Sequence, residues 1–295
     1  GGGSFEEEQE AAAQNWAAYW ERSGVALADE FLEHIWYTNT YFIKCVLNKN
    51  ARCPGLFANW VYQDIGTAWH GDYHMNYNTQ QVFWGLMGAN RMEQHLPYLR
   101  LTEELLPVSK AWAKDFYGLD GACFPHSAYP VPMTVMPYPS PDWGWEIFET
   151  PWTVQSLWWH YTYTRDKELL RRRIYPVIRE AALFLVGYMT REGANPKGDD
   201  RYHLFPTIVP ELYGLSKGFD KNLDGLADLT LTKFVFRRRF RIWKSRRRKR
   251  SLPVLFAKSW RNFPTIPLPS PVGAKYSSAW RARIRTTRFT TLPPT

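Results

Sequence analysis

The sequence predicts an all-α protein, on three observations. Apolar residues recur at helical spacing through most of residues 9–190, and the segments stop on helix-ending residues such as Gly118. No stretch shows a defensible strand alternation.

The elements follow in order. Gln9 to Glu21 carries Trp16 and Trp20 four apart, and Leu27, Phe31 and Ile35 repeat that spacing, with apolar residues continuing to Leu47. A loop with Pro54-Gly55 comes next, then a helical pattern from Thr79 to Asn90 and another from Thr102 to Tyr117. Residues 124–145 are rich in proline and read as a long loop. Thr150 is the expected N-cap of the next helix, with Pro151 at its first position. Asp166 is expected to cap another, running to about Thr190. Paired helices with short connections make αα-hairpins.

The net charge of +9 is unevenly spread. Residues 229–295 hold 18 of the 37 Lys and Arg and no Asp or Glu. Residues 1–228 carry the other 19 basic residues against 28 acidic ones, a net of −9. From Phe236 the run RRRFRIWKSRRRKR gives way to scattered Pro, Arg and Thr, without a helical or strand period. Three segments are expected: a linker or leader over 1–14, a helical domain over 15–235, and an irregular or disordered basic tail over 236–295.

Aromatic residues make up 17% of the chain, with 15 Trp, and core packing accounts for most of them. Cys45, Cys53 and Cys123 have neither disulfide-framework nor zinc-ligand spacing. No apolar run reaches membrane-spanning length. The chain opens GGGSFEEEQE without Met, so it reads as a fragment, a processed chain or one carrying a linker remnant, and the compartment stays open.

The densest polar cluster is HGDYHMNYNTQ, His70 to Gln80, directly before Val82, Phe83 and Trp84. It reads either as a helix start, with Asn78-Thr79 as cap, or as an active-site floor. In context, PGLFANWVYQDIGTAWHGDYHMNYNTQQVFW (Pro54 to Trp84) resembles the catalytic core of glycoside hydrolase family 95, the inverting α-L-fucosidases and related α-galactosidases. That family carries a segment of the type Asn-Ile-Asn-x-x-Met-Asn-Tyr-Trp, which here runs from Asn76 to Trp84. SLWWHYTYTRDKELLRRRIYPVIREAALFL (Ser156 to Leu185) is similar to the family's helix pair, and Pro206 to Glu211 resembles its Pro-Glu loop.

The resemblance implies an (α/α)6 toroid, six helical hairpins in a ring, of which this chain supplies an incomplete part. It implies hydrolysis with inversion of a fucoside- or galactoside-like substrate and no metal or other cofactor. An inverting enzyme separates its two carboxyl groups by roughly 6.5–9.5 Å to admit a water. By resemblance Glu211 is the general acid, in a Pro-flanked loop that could raise its pKa against apolar neighbours. Asn76 and Asn78 would hold the attacking water through their amide oxygens. The family's supporting Asp comes later in the ring, but no acidic residue follows Asp228, so weak or absent turnover is expected unless Asp72 or another early acid substitutes. Trp69, His70, Asp72, His74, Trp84 and His126 are candidate sugar contacts. The family's Met-Asn-Tyr-Trp becomes Gln81-Val82-Phe83-Trp84, which leaves the sugar open. A secreted or periplasmic setting also follows only from resemblance.

Asp220-Lys221-Asn222-Leu223-Asp224-Gly225 matches the start of a calcium loop, but position 12 is Leu231 where a bidentate acid is needed, so a turn and helix start is the expectation. His126 and His203 are single loop histidines without metal-ligand spacing. Two other classes remain: a polyanion- or nucleic-acid-binding protein acting through Arg237 to Arg250, and a non-catalytic carbohydrate-binding remnant. The abrupt loss of acids also fits an out-of-frame tail, in which case the intact product would continue the ring. Oligomeric state is not legible.

Overall fold

A computed structural model describes residues 3–56, 68–131, 143–209 and 211–245. Residues 1–264 form one unit. A second, 265–295, lies wholly outside the described residues, as does most of the expected tail.

The regular structure of the described residues is almost entirely helical. α1 (Phe5–Trp20) opens on a capping box, in which Ser4 accepts from the Glu7 backbone and Glu7 reaches back to the Ser4 backbone. α2 (Glu30–Val46) is capped by Asp29. Leu27, placed by periodicity with this helix, precedes it. The two helices meet through rings: Trp16 stacks on Tyr41 at 5.0 Å, and Trp20 lies 5.6 Å from Tyr37. Each buries only one residue, Tyr19 in α1 and Thr40 in α2.

The expected helix from Thr79 to Asn90 is two short ones, α3 (Asn78–Gln81) and α4 (Trp84–Gly88). Asn78 begins α3 but does not cap it; Tyr77 holds the cap position without a side-chain bond. α5 (Leu96–Tyr117) starts a turn and a half earlier than periodicity placed it, because Pro97 sits in its first turn, where a missing N–H costs nothing. It stops at Gly118 in the left-handed conformation, as the sequence predicts.

α6 (Glu149–Thr164) begins before Thr150, not after it. The Thr150 hydroxyl is engaged elsewhere: it accepts from the Phe124 backbone N–H at 3.0 Å and lies 3.6 Å from Cys123 Sγ. Asp166 does cap the next segment, accepting from Leu169 N–H at 2.8 Å. α7 (Lys167–Leu169) passes through a π-turn, Leu170–Ile174, into α8 (Tyr175–Thr190). α9 (Leu226–Ser245) runs past the composition break at Phe236, because Arg and Lys are good helix formers.

The core lies where α5, α6, α8 and α9 pack. Leu99 and Leu105 of α5, Leu157 of α6, Val177, Ala181 and Leu185 of α8, and Val235 of α9 are all essentially inaccessible. Burying a Leu or Val contributes roughly 1.5–3 kcal/mol each. The loop after α5 is pressed onto α8 at Gly121, whose φ is +98°. A Cβ there would lie 2.4 Å from Phe184 N and 2.5 Å from Glu180 O. Ala122 N–H donates to Glu180 O and Cys123 N–H to Ser109 O, so the loop is fixed to both helices before it reaches His126.

Candidate active site

Two dipeptide strands organise the site. β1 (Tyr73–His74) pairs antiparallel with β2 (Ser127–Ala128), with His74 opposite Ser127. Met75 N–H also donates to His126 O at 2.7 Å. The pairing carries His126 against the segment that contains both asparagines. Behind β1, Leu56 N–H donates to Asp72 O at 2.8 Å, and Gly55 packs so closely that a Cβ would meet Gly71 O at 2.5 Å.

A buried chain of titratable groups crosses this junction. Asp72 holds His74, with Nδ1 3.2 Å from both carboxylate oxygens. His74 Nε2 faces His126 Nε2 at 2.9 Å. His126 Nδ1 lies 2.5 Å from Glu146 Oε2 and 3.0 Å from Glu149 Oε1. The five residues are 8% exposed or less. Glu146 sits just after a 3₁₀ turn, Trp143–Trp145, and Glu149 opens α6. Burial, and then the neighbouring Glu146 carboxylate, hold the Glu149 carboxyl well above the usual carboxylate range. Asp228, fully buried in the first turn of α9, is pushed up to about 7 by burial, with Glu146 adding repulsion. His126, Glu146 and Glu149 offer ligand-type atoms within 4.8 Å of one another.

An aromatic arc lies beside the asparagines. The Tyr77 and Trp84 rings are 5.5 Å apart edge to face, Trp84 and Trp152 5.9 Å, and Phe148 and Trp152 6.2 Å. Tyr77 is 46% exposed. Asn76 Oδ1 and Trp152 Nε1 are both buried without a hydrogen-bond partner, an acceptor and a donor left unused by the protein.

The residues selected by sequence fall into three groups. Asn76, Asn78 and Trp84 lie on the β1–α4 segment, with Trp84 in the arc. Asp72, His74 and His126 are brought together, but in the buried chain, where their polar atoms serve one another. Trp69 is 65% exposed, and the His70 side chain is outside the described residues. Glu211 is exposed at the tip of a turn between the bridged Val209 and Tyr213, with φ of +56°. It is not packed among apolar residues as the resemblance implied. Its neighbour Pro210 is outside the described residues, as are the side chains of nearly all of Arg237 to Arg250. Sequence reasoning missed Glu146, Glu149, Trp152 and Asp228. The signal for the first two is WGWEIFE, acids set among large apolar residues where a carboxylate is costly.

The residues of the calcium-like loop are engaged by the protein itself. Asn222 donates to Thr207 O and Gly214 O and accepts from Ser216, and Asp224 accepts from Leu204 N–H and faces His203.

The model of the glycosyl hydrolase family 95 catalytic domain matches residues 7–241. The chain belongs to this family. Alpha-L-fucosidase 2 of Arabidopsis thaliana is 29% identical over 183 residues, 59% of this chain and 20% of the relative. Probable alpha-fucosidase A of Aspergillus niger is 23% identical over 171 residues, 55% of this chain and 21% of the relative. The matched region thus spans about a fifth of those relatives' length. A solved structure, a putative kojibiose phosphorylase from human microbiome, superposes with a TM-score of 0.67 at 10% identity, covering 89% of this chain and 38% of that one. The family 95 chain therefore has the all-α, toroid-type glycosidase fold expected from sequence. Among the described residues no helix is long and apolar enough to cross a membrane.

Proposed function

We infer that this family 95 chain binds a fucoside- or galactoside-like sugar and carries part of the machinery for hydrolysing it with inversion. The observation behind this reading is the unused Asn76 acceptor beside a partly open aromatic arc. A sugar offers hydroxyl donors for the amide oxygen and apolar C–H faces for Tyr77 and Trp84. Asn76 and Asn78 would orient the attacking water, and Glu211 would protonate the leaving oxygen. The strained φ of Glu211 is tolerated where the chain must present a side chain outward.

Turnover is expected to be weak. An amide orients water but cannot take its proton; residues 229–295 contain no Asp or Glu, and the buried Asp72, Glu146 and Glu149 are engaged with His74 and His126. The domain limits, 15–235 for the catalytic part and 236–295 for a non-catalytic tail, belong to the same proposal.

Tryptophan fluorescence during titration with L-fucose, D-galactose and their aryl α-glycosides tests binding. Saturable quenching by one of these sugars, with slow release of the aryl group, supports the reading. A folded chain whose fluorescence none of them changes would sink it. Inversion is read separately, from the anomer first seen by proton NMR.

A further inference from the structure

We propose that His126, Glu146 and Glu149 form a buried site for one divalent transition-metal ion, of the Zn²⁺, Co²⁺ or Mn²⁺ class. The inference is independent of the glycosidase reading.

The polarity of the hydrogen-bond chain carries it. Asp72 oxygens accept, so His74 Nδ1 bears the proton and its Nε2 is a lone pair. With both rings neutral, that lone pair, 2.9 Å from His126 Nε2, places the His126 proton on Nε2. With one proton per ring, His126 Nδ1 is then a lone pair as well. It points at Glu146 Oε2 and Glu149 Oε1. Two carboxyl groups and a lone pair meet here, and either the proton that burial keeps on Glu149 or a cation must hold them together.

Three further observations favour a cation over an added proton. Glu146 Oε1 and Glu149 Oε1 are buried and accept no hydrogen bond, so this corner has more lone pairs than one proton can satisfy. Asp72, Glu146, Glu149 and Asp228 are four buried carboxyl groups, and among the described residues none of them is ion-paired to a Lys or Arg. Finally, a ligating histidine is ordinarily held by a second hydrogen bond from its other nitrogen, and the His74–Asp72 pair supplies that to His126.

One imidazole nitrogen with two carboxylate oxygens suits Zn²⁺, Co²⁺ or Mn²⁺, whereas Ca²⁺ and Mg²⁺ prefer oxygen alone. A tetrahedral ion with bonds of about 2.0–2.1 Å sets its ligand atoms roughly 3.4 Å apart. His126 and Glu146 would open from 2.5 Å by under about 1 Å, within side-chain adjustment. Two carboxylates against a double charge leave the site neutral. The ion would tie β2 to the start of α6 across residues 129–145.

The test is elemental analysis of the dialysed chain, then Co²⁺ titration of chelator-treated protein followed by visible absorption. The expected result is one ion per chain and a Co²⁺ d–d band abolished by Zn²⁺. His126→Ala and Glu149→Gln should lose the ion, and His74→Ala should weaken binding by roughly 10–100-fold. His203→Ala controls for the separate cluster of His203, Asp199 and Asp224, and should bind normally. If the His126 or Glu149 variant unfolds, the spectrum of the native-sequence chain still decides. No stoichiometric ion and no band in a folded chain overturns the proposal, leaving the proton in its place. So does binding that survives His126→Ala or vanishes in His203→Ala.

Discussion

Thr207 donates its hydroxyl to Asp228 Oδ1 at 2.8 Å, tying the Pro206–Glu211 loop to the first turn of α9 in a fully buried contact. Burial outweighs that bond and moves the Asp228 carboxyl from 3.8 to about 7. Between those values the folded chain keeps a proton that the unfolded chain has lost. The contribution to stability is therefore whole below the lower value and is lost as pH rises through about 7. Asp228→Asn keeps the acceptor and cannot ionise. Its stability relative to the native sequence should rise between pH 5 and pH 8, by roughly 1–3 kcal/mol at about 1.4 kcal/mol per pKa unit, read as a growing difference in Tm. Thermal melts at the two values check this; a constant difference would contradict it.

The pair His95 and His160 acts in the opposite sense. Their Nδ1 atoms lie 3.1 Å apart in the core. Burial holds His95 well below its usual value and lowers His160 from 6.5 to about 4. As pH falls through 6.5 the unfolded chain takes up protons that the folded chain refuses, so stability is whole above 6.5 and is lost toward pH 4. The Tm of the chain should fall between pH 6.5 and 4.5, and His160→Gln should flatten that fall even if it lowers Tm at pH 7. An equally steep fall in the variant would exclude the pair as the cause.

Gly121 is where backbone meets backbone. Its positive φ and the 2.4 Å approach to Phe184 N leave no room for a methyl group. Gly121→Ala should destabilise the chain by about 3 kcal/mol, from strain and overpacking together. Because the loop also carries His126, near-ultraviolet circular dichroism should change with it. Urea midpoints within error of the native sequence would show that α8 yields instead.

Some of this was legible in the sequence and some was not, for reasons that lie in range. The end of α5 at Gly118 and the cap at Asp166 are local chemistry, set by residues within one turn, and both could be read directly. Thr150 misled because its hydroxyl has a distant competitor, Phe124 N–H, twenty-six residues away. Asn76, Asn78 and Trp84 could be grouped from sequence because they share one short segment. Glu146 and Glu149 were not, since Glu149 three residues after Glu146 at a helix start reads as ordinary first-turn acid, favourable to the helix dipole. Their meeting with His126, across about twenty residues of proline-rich chain, shows only in three dimensions.

The aromatic arc offers the sharpest test of recognition. Trp84 has ring partners on both sides, Tyr77 at 5.5 Å and Trp152 at 5.9 Å, so it is held in place before any ligand arrives. Removing it should cost sugar binding without collapsing the core, because the fully buried Phe83 and Leu86 remain. Trp84→Ala and Asn76→Ala should each weaken sugar binding about tenfold, the 1–2 kcal/mol of one ring contact or one hydrogen bond. The two should add, since stacking and hydrogen bonding act on different parts of the sugar. Glu211→Gln should leave binding intact and abolish the slow aryl-glycoside turnover, because it removes a proton and not a contact. Fluorescence titration and aryl release on the three variants separate these effects. If Glu211→Gln bound as weakly as Asn76→Ala while turnover per bound sugar stayed the same, Glu211 would be a binding group and the proton donor would have to be sought elsewhere.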